Sequence, residues 1–303
     1  MIVLKDICKK LGENQVLDHI SFHISPNENV GIIGLNAAGK TTLLNVIAGV
    51  LKPDSGFIRV GGSENVFEDK KMLRKLSYVS GMGHQLWEDL RVKDSFENGI
   101  KMYHLDEKRA KVRLEELEEL FEIKDLVHMR PQKLSLGERM RCELVYGLLA
   151  EPKILMLDEA MIGLDVSVKY KIMEYFQEYR KKRQSTILFT SHNLMEVENL
   201  CDRIILLDKG TVIFDGSVER IMKEFAPLYR MKMKTEGVLP DFDDLPLEKI
   251  RILQDGIEVI YDQQKIKTEQ ILEQVVKKTP VEEVKLYEPD LEGTIKKIYQ
   301  KDL

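Results

Sequence analysis

Short apolar runs punctuate the first two-thirds of the chain at 29–33, 154–157, 186–190 and 203–207, each closed by turn or polar residues. Uniformly apolar runs of this length predict strands buried on both faces, as in a parallel sheet. Between them apolar positions recur every three or four residues, predicting helices over 41–50, 107–121, 136–149 and 168–180. Strands alternating with helices give an α/β fold around a mainly parallel sheet. The stretch from about 72 to 131 is charged and reads as mostly helical, like a subdomain inserted into that core.

After Asp215-Gly216 the pattern changes. Gly237-Val238-Leu239-Pro240 and the acids Asp241, Asp243 and Asp244 predict a connector, the acids as a solvated loop more than as a metal site. The alternation Met231-Lys232-Met233-Lys234 predicts a strand, and Asp255-Gly256 amid alternating apolar residues over 250–260 signals a hairpin. A helix over 268–278, a strand near 284–287 and an amphipathic helix over 291–299 complete a small α+β domain of about 225–303.

Net charge is −5, with acids and bases interleaved as in DEKRAKVRLEELEEL, which argues against a nucleic-acid partner. No apolar run approaches the roughly 18 residues of a membrane span, and MIVLKDICKK lacks the layout of a secretory signal. Cys8, Cys142 and Cys201 form no CxxC pair, so the sequence indicates neither a disulfide framework nor a zinc site. A reducing cytoplasm is the expected setting.

The first strand runs into Gly34-Leu35-Asn36-Ala37-Ala38-Gly39-Lys40-Thr41-Thr42 and then an apolar helix. Strand, Gly-x-x-x-x-Gly-Lys-Thr and helix, in that order, form a phosphate cradle. Gly34 and Gly39 let the backbone bend so that N–H groups from Asn36 to Thr42 face one concavity, at the positive end of a helix. Lys40 supplies a mobile charge for the β- and γ-phosphates and Thr41 a hydroxyl for Mg²⁺. The predicted ligand is ATP.

The 154–157 strand ends in Asp158-Glu159. Adjacent acids at a strand end point opposite ways and can divide two tasks. Asp158 is placed to hold Mg²⁺ through water and Glu159 to polarise an attacking water. An acidic pair after a strand is by itself usually a solvated loop; the phosphate loop upstream changes that.

Leu134-Ser135-Leu136-Gly137-Glu138 opens a further helix, and Thr190-Ser191-His192 ends a further strand. With every motif in this order, the chain resembles an ATP-binding-cassette (ABC) ATPase over about 4–216. The resemblance implies a P-loop NTPase cassette over 1–220, with an antiparallel β subdomain beside the parallel core and a helical subdomain at about 85–150. It also implies that Ser135 and Gly137 grip the γ-phosphate of ATP held by a second ATPase subunit, most simply an identical copy. Asp165, in Gly163-Leu164-Asp165, would face that partner. His192 would contact the γ-phosphate and hold Glu159 and the water in place.

The strings HQLWEDLRVKDSF, LSLGERMRCEL and MIGLD resemble the ABC-2 exporter type. That implies a separate integral membrane permease and a position at the inner face of the cell membrane. The permease would dock near Trp87, which suits an interface anchor or a core position equally well.

The chain departs from the family at four places. Ala37 stands where glycine is usual, no aromatic near Leu11 is available to stack on adenine, and Ala160 replaces a proline. Where the family carries a glutamine reaching Mg²⁺, the register offers Met82 or, three residues on, Gln85. These departures leave open an alternative, a weakly or non-hydrolysing ATP-binding switch outside transport.

Overall fold

The computed structural model describes residues 1–81, 83–225, 228–235, 242 and 245–301. Met82, the 237–240 connector and Asp241, Asp243 and Asp244 lie outside the described residues. The chain divides into two compact units, Met1–Ser217 and Val218–Leu303.

In chain order the first unit holds β1 (Ile2–Leu11), β2 (Asn14–Ile24), β3 (Asn29–Gly34), α1 (Lys40–Ile47), β4 (Ser55–Val60), α2 (Lys70–Leu73) and β5 (Leu76–Ser80). Then come α3 (Val92–Met102), α4 (Glu107–Leu120), α5 (Leu136–Leu148), β6 (Ile154–Asp158), α6 (Val166–Arg183), β7 (Thr186–Thr190), α7 (Leu194–Leu200), β8 (Arg203–Asp208) and β9 (Thr211–Ser217). A six-stranded sheet runs β5-β6-β7-β3-β8-β9, parallel except for β9. A three-stranded antiparallel sheet, β2-β1-β4, stands beside it.

Every residue of β6 and β7 is buried, so their unbroken apolar runs follow from burial on both faces. The alternating Ile2, Leu4 and Leu17, Ile20, Phe22, Ile24 of the antiparallel sheet form one core with Leu43, Leu44 and Ile47 of α1 and Met156, Leu188, Ile205 and Leu207 of the central sheet. Each such side chain, fully buried, contributes about 1.5–3 kcal/mol. The core therefore locks α1, and the phosphate loop before it, between two sheets.

The inserted stretch is less helical at its start than its composition predicts. Leu76–Ser80 is a strand, paired in parallel register with β6 (Tyr78 opposite Met156). Five residues inside a lysine- and arginine-rich neighbourhood are too few to declare a period. After the single turn of α2, helices resume only at α3. α5 is fixed at its start by a capping box: Ser135 Oγ accepts from the Glu138 N–H, and the Glu138 carboxylate accepts from the Ser135 N–H.

The second unit contains α8 (Val218–Phe225), β10 (Leu228–Thr235), β11 (Leu247–Leu253), β12 (Gly256–Asp262), α9 (Thr268–Val276), β13 (Val281–Tyr287) and α10 (Leu291–Lys301). Its antiparallel sheet runs β11-β12-β10-β13. Met231, Met233, Ile257, Val259 and Tyr261 from one face pack with Ile271 and Val275 of α9.

Candidate functional site

The turn from β3 to α1 is built as its sequence demands. Gly39 has φ of 100°, and a Cβ there would lie 2.7 Å from the Val16 carbonyl, so only glycine fits. Lys40 is folded back, its Nζ donating to the carbonyls of Gly34 (2.8 Å) and Leu35 (3.2 Å). Burial lowers its pKa, against the opposing pull of Glu159 and Asp158.

A cavity of about 520 Å³ opens over this loop. It is lined by Asn36 through Thr42, by Asp158, Glu159 and His192 from two strand ends, and by Leu11, Val16, Gly81 and Ile162. The structure thus brings the loop, both carboxylates and the histidine together.

Asp158 is almost fully buried, and each of its carboxylate oxygens has a hydroxyl donor. Thr190 Oγ1 donates to Oδ1 at 2.6 Å and Tyr78 Oη to Oδ2 at 3.1 Å. Thr190 also ties in the second acid, because its Oγ1 accepts from the Glu159 N–H at 3.0 Å. Sequence reasoning missed Tyr78 and Thr190 in this role. Thr190 adjoins a recognised motif, but Tyr78 stands 80 residues from its partner and carries no local signal.

Glu159 has φ of 54°, in the left-handed region, and its backbone N–H is held by Thr190. Its Oε2 accepts from the His192 backbone N–H at 3.2 Å. Its Oε1 is buried without a hydrogen-bond donor; His192 Nε2, 3.3 Å away, supplies one when it carries the proton. Burial raises the Glu159 pKa, and His192 and Lys40 pull it back.

Ser135, Gly137 and Asp165 are not in this cavity. They line a second one of about 280 Å³, with Glu138, Arg141, Gly163 and Leu164. There the two loops touch backbone to backbone: a Cβ on Gly137 would lie 2.4 Å from the Gly163 carbonyl.

The family model described as ABC transporter matches residues 17–162. The ABC transporter ATP-binding protein NatA of Bacillus subtilis is 32% identical over 225 residues, covering 73% of this chain and 91% of that protein. The chain belongs to the ATP-binding subunits of ABC transporters. A probable sulfate/thiosulfate import ATP-binding protein, CysA of Chlorella vulgaris, is also 32% identical, over 73% of this chain and 92% of its own. Among solved structures, a dimeric post-hydrolysis ATP-binding cassette bound to ADP and Pi superposes with a TM-score of 0.65 at 24% identity, over 72% of this chain and 99% of that one. Membership makes the chain an ATP-binding ATPase with the cassette fold.

Measured against other ABC subunits, the departures now have geometry. Ala37 has φ of 63°, the left-handed region where a methyl group costs about 1–2 kcal/mol. Ala37→Gly is therefore expected to lower the Kd for ATP several-fold, up to about tenfold. Titration calorimetry checks this, and an unchanged Kd counts against it. Leu11 lines the cavity, and among the described residues no Phe, Tyr or Trp does, so adenine stacking has no ring to use. Gln85 is not brought to the cavity. Its side-chain amide donates to the Tyr78 carbonyl, and its backbone N–H donates to the buried carboxylate of Glu143 at 3.0 Å.

Proposed function

We propose that this chain is the motor of an ABC exporter and works as a head-to-tail pair of identical copies closed around two ATP molecules. The separation of the site into two halves carries this reading. Lys40, Asp158, Glu159 and His192 share one cavity, and Ser135, Gly137 and Asp165 share another. A second copy that lays its Ser135–Gly137 turn over the first copy's Lys40 completes a site that one copy leaves half built. The dimeric cassette among the structural neighbours supports such a pair.

In this reading Lys40 leaves the Gly34 and Leu35 carbonyls for the β- and γ-phosphates, and the loop N–H groups bind phosphate oxygens. The Thr41 hydroxyl and the Asp158 carboxylate form an all-oxygen donor set, and Thr190 and Tyr78 hold Asp158 in place, which fits a hard cation. These two residues would hold Mg²⁺, which supplies neutralisation of charge on the β- and γ-oxygens. Glu159, whose pKa burial raises while His192 and Lys40 pull it back, accepts hydrogen-bond donation from the attacking water. His192 orients that carboxylate through its backbone N–H. Loss of the γ-phosphate removes contacts that exist only in the closed pair, and the pair opens.

The permease is expected at the loop between β5 and α3. Trp87 there is 45% exposed and its N–H donates to the buried Ser95 Oγ, so the backbone is anchored while the ring stands out. Trp87→Ala should weaken permease association at least tenfold and leave basal ATPase activity of the free subunit unchanged, read by co-purification and phosphate release. Lost basal activity with intact association would make Trp87 a packing residue.

Export is supported by the ABC-2-like strings, and an import-named relative makes direction the part to test. With this subunit and its permease in inside-out vesicles, external Mg²⁺-ATP should drive solute into the lumen. Hydrolysis without uptake there, and uptake only in the opposite orientation, would reverse the reading. Among the described residues no helix is long and apolar enough to cross a membrane, which fits attachment through the permease.

A further inference from the structure

Cys8 and His19 stand 11 residues apart in the chain, a spacing that matches no metal motif. The pairing of β1 with β2 brings them together. Ile7 pairs with Ile20 and Lys9 with Leu17, so Cys8 alone faces two residues, Asp18 and His19. One step along the ladder Leu4 pairs with Phe22, so Lys5 and Asp6 face Ser21 alone. These are β-bulges on opposite strands, and bulges re-aim side chains.

The result is a mixed donor set on one surface of the hairpin. Cys8 Sγ, a His19 ring nitrogen and an Asp18 carboxylate oxygen lie within 4.8 Å of one another. The imidazole is flanked on both sides: Nε2 is 3.9 Å from Asp18 Oδ1, and Nδ1 is 3.9 Å from Asp6 Oδ1. Asp6 Oδ1 in turn accepts from Ser21 Oγ at 3.4 Å. The His19 backbone N–H points at Cys8 Sγ, 3.4 Å away, which ties the two strands together at this bulge.

We propose that Cys8, Asp18 and His19 bind a thiophilic divalent cation of the zinc class, with Asp6 orienting His19 from behind. Thiolate, imidazole and carboxylate are the donors Zn²⁺ takes, and three of them leave a position for water. A ligating histidine ordinarily gives its other ring N–H to a carboxylate, and Asp6 stands where that carboxylate is needed. Hard cations such as Mg²⁺ do not select a thiolate, so the ion that accompanies ATP is not the expected occupant. Tetrahedral ligands with bonds of about 2.0–2.3 Å lie roughly 3.3–3.8 Å apart, so the donors must draw in by about 1 Å. Asp18 and His19, with side chains 47% and 73% exposed, have the freedom to do so.

The test is a Zn²⁺ titration of the full chain against a chromophoric chelator, in reducing buffer without nucleotide. One ion per chain is expected to bind, with at least tenfold weakening in Cys8→Ser and in His19→Ala and about tenfold in Asp6→Asn. Co²⁺ in place of Zn²⁺ should show thiolate-to-metal charge-transfer absorption that disappears in Cys8→Ser. Cys142 and Cys201 are buried and do not supply that band. Circular dichroism of each variant controls for folding. Failure to bind, binding unchanged in Cys8→Ser, or a Co²⁺ spectrum without the thiolate band would each overturn the proposal.

Discussion

Replacing Glu159 with glutamine is expected to cut steady-state ATP turnover by roughly 10²–10⁴-fold, while ATP still binds and holds two copies together. Glutamine keeps the size of the side chain. It keeps the 3.2 Å contact as well, because its amide oxygen still accepts from the His192 N–H. The N–H of residue 159 still donates to Thr190 Oγ1, so the strained turn at φ of 54° has the same support. What is lost is the carboxylate's negative charge, which in the proposed mechanism polarises the attacking water. Phosphate release measures the first effect; light scattering with Mg²⁺-ATP measures the second. Undiminished hydrolysis would remove Glu159 from the chemistry, and a protein that stays monomeric with ATP bound would undo the paired arrangement.

The second large effect concerns Gly137. A methyl group there would meet the Gly163 carbonyl at 2.4 Å, a backbone-to-backbone conflict that no side-chain rotation relieves. In Gly137→Ala the turn carrying Ser135 must shift against the Gly163-Leu164-Asp165 loop. A displacement near 1 Å in a positioning element costs about 10²-fold in rate, and ATP-driven pairing should fall with it. Binding of ATP to the variant's own Lys40 loop should be nearly unchanged, because Gly137 lines the other cavity. A Kd for ATP measured on the monomer separates the two. Normal turnover in Gly137→Ala would show that this turn does not close over nucleotide.

The parts of this molecule legible in its sequence are those whose information is local. The phosphate loop declares itself because strand, glycines, lysine and helix are contiguous. β3, β6, β7 and β8 lie within a residue of their apolar runs, since burial on both faces leaves no polar interruption. β5 was obscured by its lysine-rich flank. The β1–β2 hairpin alternates in the ordinary way but carries bulges that no periodicity reveals. In the site, Asp158, Glu159 and His192 could be read from strand ends, whereas the direction of Gln85 could not. Its amide goes to the Tyr78 carbonyl because the Glu143 carboxylate, buried on α5, fixes the loop that presents it.

The two hydroxyls on Asp158 come from β5 and β7, the strands on either side of its own. Its aim is thus set by a lateral registration across three strands. A lesion far from the nucleotide that lets one strand slip along its neighbour would blunt ion capture while the protein still melts cooperatively. Impaired activity in an otherwise well-folded variant would then be traced to misalignment of the sheet.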